Sequence, residues 1–247
     1  MNVVIVAHYD INGALEDDLC SFLNYLALKD FHVFLVSTGL RVENTTELNE
    51  GINVLIRDNY GYDFYSYAEG FKKNIDMINV SKNIILMNSS FKIISADKLF
   101  HYFECAVDDQ YQNIDLLSLT ESNENSFHCQ SFLMRFNNKL ISSRRFLNWW
   151  LKMKPLNKRQ KVIDKYELGL TKFVQKEGFV AGSVLNIDLD RKSQGMKLYK
   201  DIYGRVTDYT KLNPCHFMWE ALLDDFGVIK YELLNKNPHG LKINIPE

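Results

Sequence analysis

Four short apolar runs recur between residues 2 and 87, and the stretches between them are polar or amphipathic. Asn2–Ala7 (NVVIVA) comes first. Asn12–Lys29 follows, with Leu15, Leu19, Phe22, Leu23 and Leu26 close to helical period. Phe31–Ser37 (FHVFLVS) is the second run, and a polar loop with Thr45, Thr46 and Asn49 leads to the third, Ile52–Ile56. Tyr62–Ile75 reads as a helix and Ile84–Met87 as a fourth strand. Strand, helix, strand, strand, helix, strand at these spacings predicts an α/β domain with a mostly parallel sheet flanked by helices. Right-handed crossovers gather the loops after such strands on one edge, where α/β sheets bind their ligands.

The second half is less regular. Ser95–Val107 is predicted as a helix, and Ile114–Leu119 and Phe127–Phe136 as strands. Phe146–Met153, carrying Trp149 and Trp150, is predicted as a helix, as are Tyr166–Glu177, stopped by Gly178, and Asn213–Phe226, stopped by Gly227. No Gly/Ser-rich or Pro-rich linker interrupts the chain, so one continuous domain with a helical C-terminal part is expected.

Charge and apolar content limit the partners. The chain has 247 residues, with 29 Lys and Arg against 31 Asp and Glu, for a formal charge of −2. No broad basic surface for nucleic acid is expected. No run approaches the ~20 apolar residues that span a bilayer, so no transmembrane segment is expected. The N-terminal residues lack the basic start of a secretory signal. Cys20, Cys105, Cys129 and Cys215 are too scattered for a zinc or disulfide framework and read as reduced thiols, so a cytoplasmic location is expected. The one basic cluster, Lys152 to Lys161, reads as a solvated loop.

Three strand ends run into polar clusters: His8-Tyr9-Asp10, Arg57-Asp58-Asn59-Tyr60-Gly61-Tyr62-Asp63, and Asn88-Ser89-Ser90. A parallel sheet brings these to one rim, which makes them candidates for a shared site. Each is also what a turn requires. Asp63, near the start of a helix, is a candidate helix cap or a ligand for a sugar hydroxyl. No GxGxxG, Walker A or GxSxG pattern is present.

At these residues the chain resembles a known family. HYD, RDNYGYDFYSYAEGF, IILMNSS, FHCQSFLMRF and NPCHFMWEALLDDFGVIKYELLNKNP, in this order and spanning Val3 to Pro238, resemble the rhamnan synthesis F family. The resemblance implies a GT-A-like (Rossmann-like) glycosyltransferase of bacterial surface polysaccharide and O-antigen assembly. Residues 1–120 would form the nucleotide-sugar-binding half and 121–247 the acceptor and catalytic half. By the resemblance, His8, Tyr9, Asp10, Arg57, Asn59, Gly61, Asp63, Asn88, Ser90 and Lys230 would bind the donor, and His128 and Gln130 the acceptor. Glu167, in a helix ending in Gly178-Phe179, would be the catalytic base. The donor would be a nucleotide sugar such as dTDP-rhamnose, transferred with inversion to a lipid-linked glycan at the inner membrane face. Many GT-A enzymes place an Asp-x-Asp metal motif after the fourth strand. Here Asn88-Ser89-Ser90 has no carboxylate, so no metal ligand is named and no cofactor is firmly implied, with Mg²⁺ or Mn²⁺ left open. Lys230, His128 and His216 are candidates to offset the diphosphate charge instead. The alternative is a non-catalytic nucleotide-sugar-binding or scaffold module.

Overall fold

Val3, Val4, Ile5 and Val6 have no exposed surface, as a strand covered on both faces requires. The protein is described here from a computed structural model, which describes residues 1–245. Its strands are β1 (Asn2–His8), β2 (Phe31–Ser37), β3 (Asn53–Ile56), β4 (Asn83–Asn88), β5 (Phe91–Ile93), β6 (Leu116–Ser118), β7 (Glu121–Ser122), β8 (His128–Cys129), β9 (Leu133–Asn137), β10 (Ala181–Ser183) and β11 (Val228–Lys230). Seven of these form one sheet in the order β10-β6-β9-β4-β1-β2-β3. β4, β1, β2 and β3 run parallel, and β9 lies antiparallel between β4 and β6. The fold is α/β, as the strand and helix spacing predicts, and GT-A-like, as the resemblance implies.

Period-two alternation divides the core. Val4 and Val6 meet Phe22, Leu23, Leu26 and Phe103 on one face. Val3, Ile5 and Ala7 meet Phe64, Tyr67, Phe71 and Trp150 on the other. The Tyr62–Lys73 helix lies directly on β1 because position 70 is glycine: a Cβ there would stand 2.5 Å from Ile5 Cγ2. All four cysteines are free and buried.

Several predicted boundaries move, each for a local reason. The first helix begins at Asp17, not Asn12, because Asp10 Oδ1 accepts from the Asn12 and Ala14 amides and Gly13 takes φ +74°. The second helix stops at Lys73, where Asn74 Nδ2 donates to the Gly70 carbonyl. Phe127–Phe136 is two strands rather than one. Between β8 and β9 the Ser131 amide and carbonyl bond to the side chains of Glu167 and Tyr67, so the ladder is interrupted. Asn213–Phe226 breaks at Met218 into Pro214–Phe217 and Trp219–Phe226. Tyr166 does not open a helix: the path is already helical from Arg159, passes through a π-turn at Ile163–Glu167 and continues as Leu168–Lys176. Glu167 therefore has no helix N-terminus to stabilise it.

Candidate functional site

The carboxyl ends of β1 and β4 and the start of the antiparallel β9 meet at one rim. The Asn88 amide donates to the Phe132 carbonyl, and that of Ser89 to Ala7. A cleft of about 710 Å³ opens there, within the range of small-molecule sites. Its walls include Tyr9, Tyr62, Asp63, Asn88, Ser89, Ser90, His128, Gln130, Ser131, Arg159, Glu167, His216 and Lys230.

The floor is a hydrogen-bonded chain. Asn88 Nδ2 donates to Asp63 Oδ2 at 2.7 Å, and Ser90 donates to Asn88 Oδ1 from both its amide and its hydroxyl. Lys230 Nζ donates in turn to Ser90 Oγ and lies 4.0 Å from the centroid of the Phe132 ring. Lys230 reaches this corner because β11 pairs with β5, which sets it opposite Phe91, and the Tyr231 amide bonds to the Ser90 carbonyl. Burial pushes the Asp63 carboxyl up, against the Lys230 charge and the Asn88 hydrogen bond. Burial likewise pulls the Lys230 ammonium down, against the negative charge of Glu167, Asp63 and Glu232.

A second network holds Glu167. Its Oε1 accepts from the Ser131 amide at 2.9 Å and the Ser131 hydroxyl at 2.7 Å, while Tyr67 donates to the Ser131 carbonyl at 3.1 Å. Neither oxygen of Glu167 joins an ion pair among the described residues. On the other wall, Gln130 accepts from Thr120 and donates to Asn213, and His128 Nδ1 meets the Ser126 carbonyl at 2.8 Å.

Eight of the residues expected to form the site therefore meet in this cleft: Tyr9, Asp63, Asn88, Ser90, His128, Gln130, Glu167 and Lys230. Five do not line it. His8 is buried, with Nδ1 2.8 Å from Ser37 Oγ and Nε2 toward Glu16, so it ties β1 to β2. Asp10 spends its carboxylate on the turn described above. Arg57 turns onto the carbonyls of Asp58, Tyr60 and Tyr62 and onto Ser66, bracing the loop. Gly61 is required by its φ of +79° and by the approach of Tyr65 and Pro155. Asn59 is exposed on the same loop. Asp63, although in the first helical turn, makes no cap bond; its partner is Asn88. Tyr62 has φ +60°, a conformation that costs an aromatic residue on the order of 1–3 kcal/mol, and the Arg57 brace holds it there.

Glu124, Ser131, Arg159, Asn213, Glu232 and Lys236 also line the cleft and were not expected from sequence. They come from loops and short helices without period. Arg159 carried a signal as part of the basic cluster, and Ser131, Asn213, Glu232 and Lys236 lie in segments that carry the family resemblance.

His216, raised in the sequence reading only for the diphosphate, is one end of a paired system. Its Nδ1 lies 2.9 Å from His239 Nε2, and His239 Nδ1 lies 2.6 Å from the Tyr203 hydroxyl. Burial lowers both histidines, His216 further by its neighbour, while Glu232 opposes the shift. Folded values below the unfolded value of about 6.5 mean that the unfolded chain takes up these protons first, so stability is lost as pH falls through the folded values. The unfolding midpoint is expected to drop as pH falls below about 6.5, and less steeply in His239→Gln; equal slopes in the two proteins would contradict this.

The residues at the end of β4 do not fit a divalent cation. Asn88, Ser89 and Ser90 bring no carboxylate, Asp63 is engaged by Asn88, and an ammonium already sits on Ser90. Among the described residues, no group of three or more His, Cys, Asp or Glu is arranged to hold a metal.

Comparison with known proteins identifies relatives of the chain and of its fold. A family described as rhamnan synthesis protein F matches residues 33–204. An uncharacterized protein, y4gN, of Sinorhizobium fredii is 30% identical over 74% of this chain and 48% of its own length. Virulence protein VirA of Vibrio anguillarum is 28% identical over 87% of this chain and 73% of its own. The chain thus spans about half of the first relative and about three quarters of the second. The glycosyltransferase GlyE of Streptococcus pneumoniae shares the fold, with a TM-score of 0.50 at 12% identity, over 98% of this chain and 57% of its own.

Proposed function

The chain belongs to the rhamnan synthesis protein F family, and we propose that it is a glycosyltransferase of bacterial surface polysaccharide synthesis. Its donor is a nucleoside-diphosphate sugar, with dTDP-rhamnose as the candidate, and transfer is inverting. The observation that carries this reading is the convergence of Glu167, Asp63, Asn88, Ser90 and Lys230 on one cleft. Residues 1–120 supply most of the donor side and 121–247 the catalytic and acceptor side, with Lys230 crossing back to the donor.

The chemistry asks little of the protein beyond placement. The acceptor oxygen bonds to the anomeric carbon as the bond from that carbon to the diphosphate oxygen breaks. The bonding pair leaves with the diphosphate, and the acceptor proton passes to Glu167. Ser131 holds one Glu167 oxygen and leaves the other to take that proton. Tyr9, 47% exposed at the rim, offers a ring to the nucleobase. His128 and Gln130 lie on the acceptor wall.

No helix among the described residues is long and apolar enough to cross a membrane. We place the protein at the inner membrane face as a peripheral enzyme acting on a lipid-linked acceptor. Lys152, Lys154, Lys158, Arg159, Lys161 and Lys165 are all exposed, and Arg159 lines the cleft together with Tyr62. Such a cluster is attracted to anionic lipid. Vesicles containing phosphatidylglycerol should pull down the protein at low salt, and reversal of Lys152, Lys154, Lys158 and Lys161 to Glu should abolish this. Equal recovery with neutral vesicles would contradict it.

Donor choice is read by thermal shift across nucleotide sugars, since a ligand of the folded state raises the midpoint by mass action. dTDP-rhamnose should give the largest shift and yield a product of inverted anomeric configuration with acceptor. A flat panel would contradict the reading.

A further inference from the structure

We propose that Lys230 takes the place of a divalent cation in this chain, so that the cleft binds the diphosphate of its donor without metal. The inference rests on the donor reading above. Three observations carry it. The corner after β4 holds Asn88, Ser89 and Ser90, whose side chains offer an amide and hydroxyls but no carboxylate. A half-buried ammonium stands at this corner, held by Ser90 Oγ below and the Phe132 ring beside it. That ammonium belongs to none of the ion pairs among the described residues.

A cation enclosed by protein is costly unless paired. Lys230 is surrounded by the charges of Glu167, Asp63 and Glu232, yet it reaches none of them within ion-pair distance. Its three donors meet one hydroxyl and one ring face, which leaves room for an incoming oxygen. An anionic ligand at the Ser89–Ser90 turn completes the site. The Ser90–Asn88–Asp63 chain fixes where the ammonium stands before the ligand arrives, and fixed charges are what stabilise a leaving diphosphate most effectively. Asn88 is part of the design: a carboxylate there would lie against Asp63, and its amide turns that contact into a hydrogen bond.

The test is equilibrium binding of dTDP and UDP to the full chain, in EDTA and again in Mg²⁺ or Mn²⁺, with the unphosphorylated nucleoside as control. Wild type should bind the diphosphates equally in all three solutions. Lys230→Met should weaken diphosphate binding about ten- to a hundredfold, the weight of a charge-assisted hydrogen bond, and leave nucleoside binding unchanged. Lys230→Arg, which keeps the charge if Met at this site impairs folding, should bind within about tenfold of wild type and remain indifferent to EDTA. Diphosphate binding by wild type only in the presence of a cation, or undiminished binding by Lys230→Met, overturns this assignment and leaves the donor reading intact. Failure of wild type to bind any nucleoside diphosphate in any solution overturns both.

Discussion

Replacing Glu167 with Gln should lower sugar transfer by about 10²–10⁴-fold, the weight of a positioned general base, and leave donor affinity nearly unchanged. The substitution is nearly isosteric, and the structure explains why it should fold. The side-chain oxygen that accepts from the Ser131 amide and hydroxyl is retained in the amide. What is lost is the second oxygen, which becomes an NH₂ that cannot take a proton. Activity and donor binding must therefore separate. If both fall together, Glu167 holds the cleft in shape rather than acting as base. If neither falls, the base is another residue. A wild-type protein that binds donor but transfers to no acceptor would favour a binding module over an enzyme.

The largest effect on stability is expected at Trp150. Its side chain is fully buried and stacks on Phe71, with ring centroids 4.7 Å apart and planes 5° from parallel, while Phe64 stacks at 6.1 Å. It joins the Arg144–Leu151 helix to the Tyr62–Lys73 helix, which carries both Asp63 and Tyr67. Trp150→Ala should cost about 3–5 kcal/mol, lost transfer energy plus an unfilled cavity. For a chain of this length that is a fall in midpoint on the order of 10 °C. Trp150→Phe should cost much less, because the indole Nε1 has no hydrogen-bond partner to lose and a ring is retained. Thermal and chemical denaturation of the two variants check both statements, and a Trp150→Ala thermal midpoint within a degree of wild type would contradict the packing account.

The strands were legible because burial on both faces leaves a plain mark: NVVIVA and FHVFLVS have few other uses. Helix ends were less legible, since side-chain hydrogen bonds set them. Asp10 and Gly13 delay the first helix, and nothing in their spacing distinguishes that turn from an early helical start. The break at Ser131 was hidden because its partners, Glu167 and Tyr67, are 36 and 64 residues away.

The same distinction runs through the site. Proximity to a strand end brought His8, Asp10, Arg57, Asn59 and Gly61 into the expected set, but these residues build the loops that the cleft residues stand on. His8 points into the sheet and Arg57 onto its own loop, and chain position does not record direction. Lys230 was legible through the family resemblance, as a cation to offset the diphosphate charge. Its role at Ser90, 140 residues away, depends on a three-residue pairing of β5 and β11 too short to read from pattern.

The central claim, that this cleft is the donor site, is tested most directly by a crystal structure with a nucleoside-diphosphate sugar bound. The account predicts density between Tyr9 and the Ser89–Ser90 turn, with a diphosphate oxygen in hydrogen-bond contact with Lys230 Nζ and the sugar facing Glu167. A donor bound elsewhere, such as in the 330 Å³ cavity beside Trp219 and Leu241, would contradict it.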